Sequence, residues 1–194
     1  MKKWHDDPFT KKARKESYEA RSVYKLEEIE KREKILKGAK RILDLGASPG
    51  SWSQYCLRFS TSSEIIAVDL SPLNISDPRL HFIEADIETV DWKEVLKGEK
   101  VDIVLSDMAP KTSGLHDRDV LLSLNLAEMA LRIALENLKP RGNFVVKIFM
   151  GSGFEEFHKE VKRHFEMVRL LRPESTRKHS REIFMIGKSF RSVQ

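Results

Sequence analysis

Short apolar runs that largely alternate with helical patterns constrain the fold of this chain more than any other feature. The runs lie at 41–46, 64–70, 80–86, 101–107 and 142–150, and the helical patterns at 51–59, 91–97, 119–138 and 153–165. Such strand–helix alternation predicts an α/β fold with a mostly parallel sheet and helices on both faces. Two further apolar runs, at 168–173 and 182–190, predict a closing pair of strands that gives the sheet an antiparallel edge.

The composition favours a single globular domain. Of the 194 residues, 40% are apolar and 34% are charged, a balance typical of globular proteins. No apolar run approaches the roughly 20 residues of a membrane span, and the single cysteine, Cys56, excludes an intrachain disulfide. We therefore expect a cytoplasmic protein with one domain over 1–194, on which an N-terminal basic segment at 1–37 packs. Within that segment the pattern predicts one helix over 13–36 that ends at Gly38.

The charges are distributed unevenly along the chain. Residues 1–25 hold eight Lys and Arg against four Asp and Glu, and residues 158–194 hold ten against four. The middle of the chain, 26–157, is acidic, with 17 basic against 22 acidic residues. Basic ends around an acidic middle are consistent either with ordinary solvated surfaces or with a polyanion-binding surface. Aromatic residues among the N-terminal cations favour RNA, because bases stack on such rings.

The turn after the first strand, "GASPG" at 46–50, admits three interpretations. It fits the G-x-S-x-G pattern of hydrolases, but the residue after the serine is Pro49, which lacks the N–H that an oxyanion hole requires. It is also not the G-x-G-x-x-G of dinucleotide-binding turns. The remaining interpretation is a glycine turn that lies close to a ligand with little negative charge.

Acidic residues end the next three strands of the predicted parallel sheet. Asp69, Asp86 and Asp107 follow the second, third and fourth runs, and the carboxyl ends of parallel strands meet in one crevice. Each acid alone is also compatible with a helix cap or a turn. A series of carboxylates suits S-adenosylmethionine, which has ribose hydroxyls to donate and carries cationic groups, better than it suits a pyrophosphate.

A lysine interrupts a run that should be buried on both faces. Lys147 lies within "FVVKIF", where an unpaired charge is costly, so either its side chain reaches out at the strand end or it has a partner. Asp107 closes the neighbouring strand and is a natural partner. Lys25 in the N-terminal helix and Glu182 at the start of the last strand are each compatible with ordinary surface charges.

Taken together, these segments resemble the FtsJ/RrmJ family of RNA ribose 2′-O-methyltransferases, which has a Rossmann-like fold. The resemblance runs from "ARSVYKLEEI" through "LDLGASPGSWSQY", "VDL", "EADI", "SDMAP" and "FVVKIF" to "SREIFMIG". It implies a catalytic tetrad of Lys25, Asp107, Lys147 and Glu182. It also implies S-adenosylmethionine contacts from Gly46, Ser48, Pro49, Gly50, Trp52, Asp69, Asp86 and Asp107.

The resemblance implies transfer of a methyl group from S-adenosylmethionine to a ribose 2′-hydroxyl. Lys147 is the expected base, Lys25 the second cation, and Asp107 and Glu182 orient them. No metal is expected, because neither a phosphoryl group nor a water is activated. The compact form is similar to the family members that act on a uridine of large-subunit ribosomal RNA, and we expect a monomer.

Other functions are compatible with the same residues. The alternatives are a transfer RNA 2′-O-methyltransferase, a non-catalytic RNA-binding or ribosome-assembly factor that keeps the fold, and a methyltransferase for a small molecule. The basic ends favour RNA over a small molecule. The cations expected to hold RNA are Lys11, Lys12, Arg14, Arg172, Arg177 and Lys178.

Overall fold

A computed structural model describes residues 7–111, 113–177 and 179–191. These residues form one seven-stranded sheet with the order β3-β2-β1-β4-β5-β7-β6. The strands are β1 (Arg41–Leu45), β2 (Glu64–Asp69), β3 (Leu80–Glu84), β4 (Val101–Ser106), β5 (Leu138–Phe149), β6 (Phe165–Leu171) and β7 (Glu182–Phe190). The α/β fold and both closing strands are therefore confirmed.

β1 to β5 run parallel, and β7 runs antiparallel to β5 on one side and to β6 on the other. The antiparallel pairing lies at the predicted end of the sheet, but β7 is one position inside it and β6 forms the edge. Burial explains the order. The run from Ile183 to Gly187 is buried throughout, whereas only the two end residues of β6 are buried and its middle is mostly exposed.

Helices cover both faces of the sheet, as predicted. Their bounds are α1 (Pro8–Lys15), α2 (Val23–Glu33), α3 (Ser51–Phe59), α4 (Trp92–Val95), α5 (His116–Asn137) and α6 (Phe154–His164). α2 and α3 bury Leu26, Ile29 and Trp52 against one face. α5 and α6 bury residues such as Ala130 and Phe157 against the other face. Within the described ranges, no helix is both long enough and apolar enough to cross a membrane.

The N-terminal segment forms two helices, so the prediction of one helix over 13–36 is wrong. α1 is capped by Asp7 and ends at Lys15, and Ser17 then adopts a left-handed φ of 56°. The carbonyl groups exposed by this break accept hydrogen bonds from the Arg58 guanidinium of α3 at 2.8 Å. A tertiary contact therefore stabilises a break that no glycine or proline marks in the sequence.

One carboxylate connects the amino ends of three strands. Asp102 of β4 accepts hydrogen bonds from the backbone N–H groups of Lys40 and Arg41, at the start of β1, and from Lys139 Nζ of β5, all at 2.8 Å. Burial of Asp102 opposes ionisation, but the Lys139 ammonium and the two N–H groups outweigh it. The pKa of Asp102 therefore lies below its ordinary value.

We expect Asp102→Asn to lower the free energy of unfolding by about 1–3 kcal/mol near pH 7, since hydrogen bonds to a charged group are lost. The pKa of Asp102 is depressed in the folded state. Its contribution is therefore present above the unfolded pKa and is lost as the pH falls through the folded pKa. Urea unfolding at neutral and acidic pH measures the effect, with Glu166→Gln on the exposed strand β6 as the control. A loss of stability that is equal at both pH values contradicts the assignment.

Candidate active site

The turn after β1 holds its shape through contacts with two neighbouring strands. The N–H groups of Gly46 and Ala47 donate to the Val68 carbonyl at 2.9 and 3.2 Å. Gly46 has a φ of +71°, and a Cβ there would lie 2.3 Å from Met108 Cγ, so only glycine fits. Gly50 then begins the turn into α3 with a φ of +111°.

Asp69, at the end of β2, fixes the middle of this turn. Its Oδ2 accepts the Ser48 N–H at 2.9 Å, and its Oδ1 accepts the Ser71 N–H at 2.8 Å. The carboxylate is only half-buried, so it also faces the space outside the turn. Asp69 therefore shapes the turn and presents an acidic group beside it.

A narrow cavity lies behind the turn at the carboxyl edge of β1 and β4. Its lining is Ser22, Asp44, Gly46, Ala47, Ser48, Ser51, Trp52 and Asp107. Four of the expected cofactor residues are thus brought together here. Pro49 lies exposed on the turn. Asp86 also lies exposed, beyond the end of β3, where its Oδ1 accepts the Glu88 N–H at 3.0 Å.

Asp44 of β1 belongs to this site, although it was not among the expected cofactor residues. Its side chain is buried, and its Oδ2 accepts a hydrogen bond from Ser53 Oγ at 2.6 Å. Burial and, to a lesser extent, the nearby carboxylates of Asp107 and Asp69 raise the pKa of Asp44 to about 7, against the opposing hydrogen bonds from Ser53. The signal in the sequence was an acid inside an apolar strand directly before the glycine turn.

Lys147 pairs with Asp107, as the sequence suggested. The Lys147 ammonium group donates to Asp107 Oδ1 at 2.9 Å and to the Asp107 backbone carbonyl. The Lys147 side chain is 6% exposed and that of Asp107 is 18% exposed. A buried lysine is therefore held by Asp107, one of the residues that line the cavity.

Lys25 and Glu182 form a second, separate ion pair. Lys25 Nζ lies 2.7 Å from Glu182 Oε1, and both side chains are largely buried. Glu182 Oε1 also accepts a hydrogen bond from Thr176 Oγ1 at 3.2 Å. The tetrad expected from the sequence is thus present as two pairs, one on β4 and β5 and one between α2 and β7.

An aromatic wall connects the two pairs. Phe184 lies opposite Lys147 in the β5–β7 register, and the Lys25 ammonium lies 5.7 Å from the centre of the Phe184 ring. Trp52 packs against the same ring with a centroid distance of 5.7 Å and donates its indole N–H to the Ser22 carbonyl at 2.9 Å. The Phe184 ring therefore lies against Lys25 and shares a register position with Lys147.

A wider cavity of about 510 Å³ opens on the solvent side of the Lys25–Glu182 pair. We call it the outer cavity. It is lined by Arg21, Ser22, Lys25, Ser175, Arg177, His179, Ser180 and Glu182. Ser22 lines both cavities, so the narrow cavity and the outer cavity meet at this residue.

The cations expected to hold RNA lie around this opening and on α1. Arg177 lines the outer cavity, and Arg172 donates to the Ser180 carbonyl at 2.6 Å. Lys11, Lys12 and Arg14 are exposed on α1, where Lys12 Nζ lies 4.2 Å from the centre of the Tyr24 ring. The sixth expected cation, Lys178, lies outside the described residues.

The segment between β6 and β7 is rich in polar residues, yet part of it is buried. Ser175 is only 2% exposed. Its carbonyl accepts a hydrogen bond from the Arg21 guanidinium, and the preceding Glu174 N–H donates to Glu28 at 2.8 Å. Among the described residues, no cluster of three or more His, Cys, Asp or Glu side chains could hold a metal ion.

This fold and site define an α/β domain of the methyltransferase class, with a glycine turn and acidic strand ends beside two lysine–carboxylate pairs. Residues 18–190 match the FtsJ-like methyltransferase family. The chain belongs to this family.

Curated relatives and solved structures agree with that assignment. The chain is 46% identical over 190 residues to a ribosomal RNA large subunit methyltransferase E of Desulfatibacillum aliphaticivorans, covering 96% of this chain and 91% of the relative. It is 42% identical over 188 residues to the protein of the same name in Bdellovibrio bacteriovorus, covering 94% and 96%. A crystal structure of a ribosomal RNA methyltransferase from Plasmodium falciparum, described there as putative, matches with a TM-score of 0.79 at 31% identity, covering 89% and 98%.

The raised pKa of Asp44 predicts how stability depends on pH. An unfolded Asp44 loses its proton near its ordinary pKa of 3.8, whereas the folded group keeps it up to about pH 7. The free energy of unfolding of the wild type therefore decreases as the pH rises between these two values. Asp44→Asn has no such carboxyl group, so its free energy of unfolding does not show this decrease. We expect the free energy of unfolding of Asp44→Asn, relative to wild type, to rise by about 2–4 kcal/mol across this range.

Urea unfolding in a pH series measures the difference, with Asp117→Asn at an exposed helix position as the control. A difference between wild type and Asp44→Asn that stays constant from acidic to neutral pH contradicts the buried, proton-binding state of Asp44.

Proposed function

We propose that this protein transfers a methyl group from S-adenosylmethionine to a ribose 2′-hydroxyl of RNA, and that its target is a uridine of large-subunit ribosomal RNA. The observation that carries the proposal is the pair Lys147–Asp107 at an acidic cavity, with Lys25–Glu182 beside it. The names of the curated relatives support the ribosomal target.

The narrow cavity, at about 10 Å³, is too small to hold this cofactor, so the cofactor would lie across its mouth at the carboxyl edge of the sheet. The lining contains the acids Asp44 and Asp107 and no Lys or Arg, so it offers acceptor oxygens to a ligand that donates hydrogen bonds. Asp69 at its rim can accept hydrogen bonds from ribose hydroxyls, and the exposed Asp86 is available to an amino group of adenine. The bound cofactor supplies an electrophilic methyl group on a cationic sulfur.

Lys147 is the general base in this proposal. A hydroxyl is a weak nucleophile, so its proton must leave as the oxygen attacks the methyl carbon. Asp107 holds Lys147 Nζ through two hydrogen bonds, which fixes the direction in which the nitrogen faces the acceptor. Lys25, the second cation of the proposed tetrad, is paired with Glu182 beside the Phe184 ring.

Lys25 and Glu182 position the acceptor ribose. Their ion pair lines the outer cavity and contacts the Phe184 ring, which is opposite Lys147 in the strand register. Glu182 can accept a hydrogen bond from a sugar hydroxyl while Thr176 and Lys25 hold its carboxylate in place. Positioning of this kind supplies much of the rate where the chemistry itself needs only one proton transfer.

The basic ends of the chain bind the RNA. α1 presents Lys11, Lys12 and Arg14 at the surface, and the segment before β7 contributes Arg172 and Arg177. The segment before β7 is held to Arg21 through the Ser175 carbonyl and to α2 through the Glu174–Glu28 contact, and Arg21 also pairs with Asp7, the N-cap of α1. In this proposal the protein acts as a monomer in the cytoplasm, where it meets ribosomal RNA.

We expect Lys147→Ala to lower the rate of methyl transfer by a factor of at least about 100, the contribution of a positioned base. Lys147→Arg is expected to be almost as inactive, because a guanidinium does not give up its proton. Transfer of labelled methyl groups to large ribosomal subunits measures the rate, and calorimetric titration with S-adenosylmethionine should show nearly unchanged affinity.

The matched control is Lys139→Arg, which alters an ion-paired lysine at the other end of the same strand and should leave the rate unchanged. Full activity of Lys147→Arg would exclude Lys147 as the base. Binding of RNA without any methyl transfer by the wild-type protein would instead indicate a non-catalytic RNA-binding factor.

Binding through several phosphates predicts a Michaelis constant for RNA that rises steeply with salt. In a plot of the logarithm of RNA affinity against the logarithm of salt concentration, the expected slope is about −0.7 for each phosphate neutralised on a single strand. Lys11→Glu combined with Arg14→Glu on α1 should raise the Michaelis constant and flatten this slope, with little change in rate at saturating RNA. The control is the double reversal Lys159→Glu and Lys162→Glu on α6, which packs on the opposite face of the sheet. Equal salt slopes in all three proteins would show that α1 makes no phosphate contacts.

A further inference from the structure

Three cations and one carboxylate line the outer cavity. The cations are Arg21, Lys25 and Arg177, and the carboxylate is that of Glu182, which pairs with Lys25. Arg21 is paired with Asp7, which lies outside the lining. No Phe, Tyr or Trp lines it within the described residues, so the cavity has no platform on which a base would stack. Its chemistry therefore favours an anion over a nucleobase.

Arg21, one of the cations in the lining of the outer cavity, is fixed in place by its contacts. The Arg21 guanidinium lies 2.6 Å from Asp7 Oδ2 and donates to the Ser175 carbonyl, and 17% of its side chain is exposed. These contacts involve two of its nitrogens, and an arginine has five N–H donors. Arg21 is therefore held rigidly while keeping donors for a further acceptor.

Ser175 supplies an independent indication of a ligand. It lines the cavity and is 2% exposed, and its Oγ has no hydrogen-bond partner within the described part of the chain. A buried hydroxyl without a partner is costly. An acceptor oxygen in the cavity would satisfy it, as phosphate oxygens satisfy serine hydroxyls elsewhere.

Ser175 also borders a second cavity of about 310 Å³ between α1 and α2, which has no excess of positive charge. Its lining balances the carboxylates of Glu27, Glu28 and Glu174 against the cations Lys12, Lys31 and Arg32. The outer cavity, with its excess of cations, is thus the side on which the Ser175 hydroxyl would meet a negatively charged group.

The position of the cavity selects which part of an RNA this anion is. Ser22 lines both cavities, and the Lys25–Glu182 pair lines the outer cavity. Lys25 lies against the Phe184 ring, and Phe184 is opposite Lys147 in the strand register. In a ribonucleotide, the carbon that carries the 3′-phosphate is bonded to the carbon that carries the 2′-hydroxyl. The phosphate closest to the reacting oxygen is therefore the 3′-phosphodiester of the acceptor nucleotide itself.

We propose that the outer cavity is a binding site for the 3′-phosphodiester of the acceptor nucleotide, formed by Arg21, Ser175 and Arg177. The proposal rests on the proposed function, since it assumes an RNA acceptor. It adds that the enzyme binds the acceptor through the phosphate on C3′, the carbon next to the one that carries the reacting hydroxyl. It also adds that a buried serine outside the tetrad contributes to substrate binding.

Chemical-shift titration with uridine 3′-monophosphate, uridine 5′-monophosphate and uridine tests the site directly. Uridine is chosen because it lacks the adenine that the cofactor site binds. The two monophosphates carry the same charge, so a difference between them reports position and not general attraction. We expect the 3′-monophosphate to bind at least about fivefold more tightly than the 5′-monophosphate, the effect of one charge-assisted hydrogen bond.

Ser175→Ala should abolish this preference and raise the Michaelis constant for RNA, while its melting temperature stays equal or rises because a buried hydroxyl without a partner is removed. Arg177→Gln, at an exposed position, should act in the same direction without any question of folding. Ser62→Ala, the same chemical change on the exposed turn before β2, is the control and should change neither quantity.

The possible results separate this proposal from the proposed function. Equal binding of the two monophosphates by a protein that methylates RNA overturns the phosphodiester site and leaves the methyltransferase function intact. An unchanged preference in both Ser175→Ala and Arg177→Gln overturns it as well. A protein that binds no S-adenosylmethionine and methylates no RNA, yet prefers the 3′-monophosphate, supports the anion site and contradicts the proposed function.

Discussion

The direction of β7 is the constraint on which the site depends. Because β7 runs antiparallel to its neighbours, its first residue, and the segment before it, lie at the edge where the parallel strands end. Glu182 is thereby placed opposite Phe149 and close to the ends of β4 and β5. A parallel last strand would leave Glu182 and the segment containing Ser175 at the opposite edge of the sheet, and the Lys25–Glu182 pair would not form.

Charge is separated across the site by a short distance. The narrow cavity holds the carboxylates Asp44 and Asp107, the outer cavity holds arginines, and Ser22 is shared between them. A cationic cofactor and an anionic acceptor would each meet the opposite charge on their own side. The Phe184 ring packs against Trp52, lies 5.7 Å from the Lys25 ammonium and is opposite Lys147 in the strand register.

The sequence predicted what depends on local pattern and missed what depends on tertiary contacts. Strand ends are local, so the acids and the Lys147–Asp107 pair could be placed from spacing alone. The break after α1 depends on Arg58 of α3, which the pattern from 13 to 36 does not contain. The sequence does not identify Asp44 as a site residue, because a carboxylate inside a buried strand cannot be distinguished from a structural residue until its neighbours are known.

Because β7 lies between two strands that precede it in the chain, the sheet cannot be completed until the end of the chain has been synthesised. In the described sheet β6 has no strand partner other than β7. A ribosome delivers β5 and β6 first, so the backbone groups of both strands face a gap until the last strand arrives. Unpaired strand edges are where chains associate incorrectly. Glu182, which pairs with Lys25, begins the strand that closes the sheet, so a chain interrupted before Glu182 lacks this ion pair and keeps unpaired strand edges.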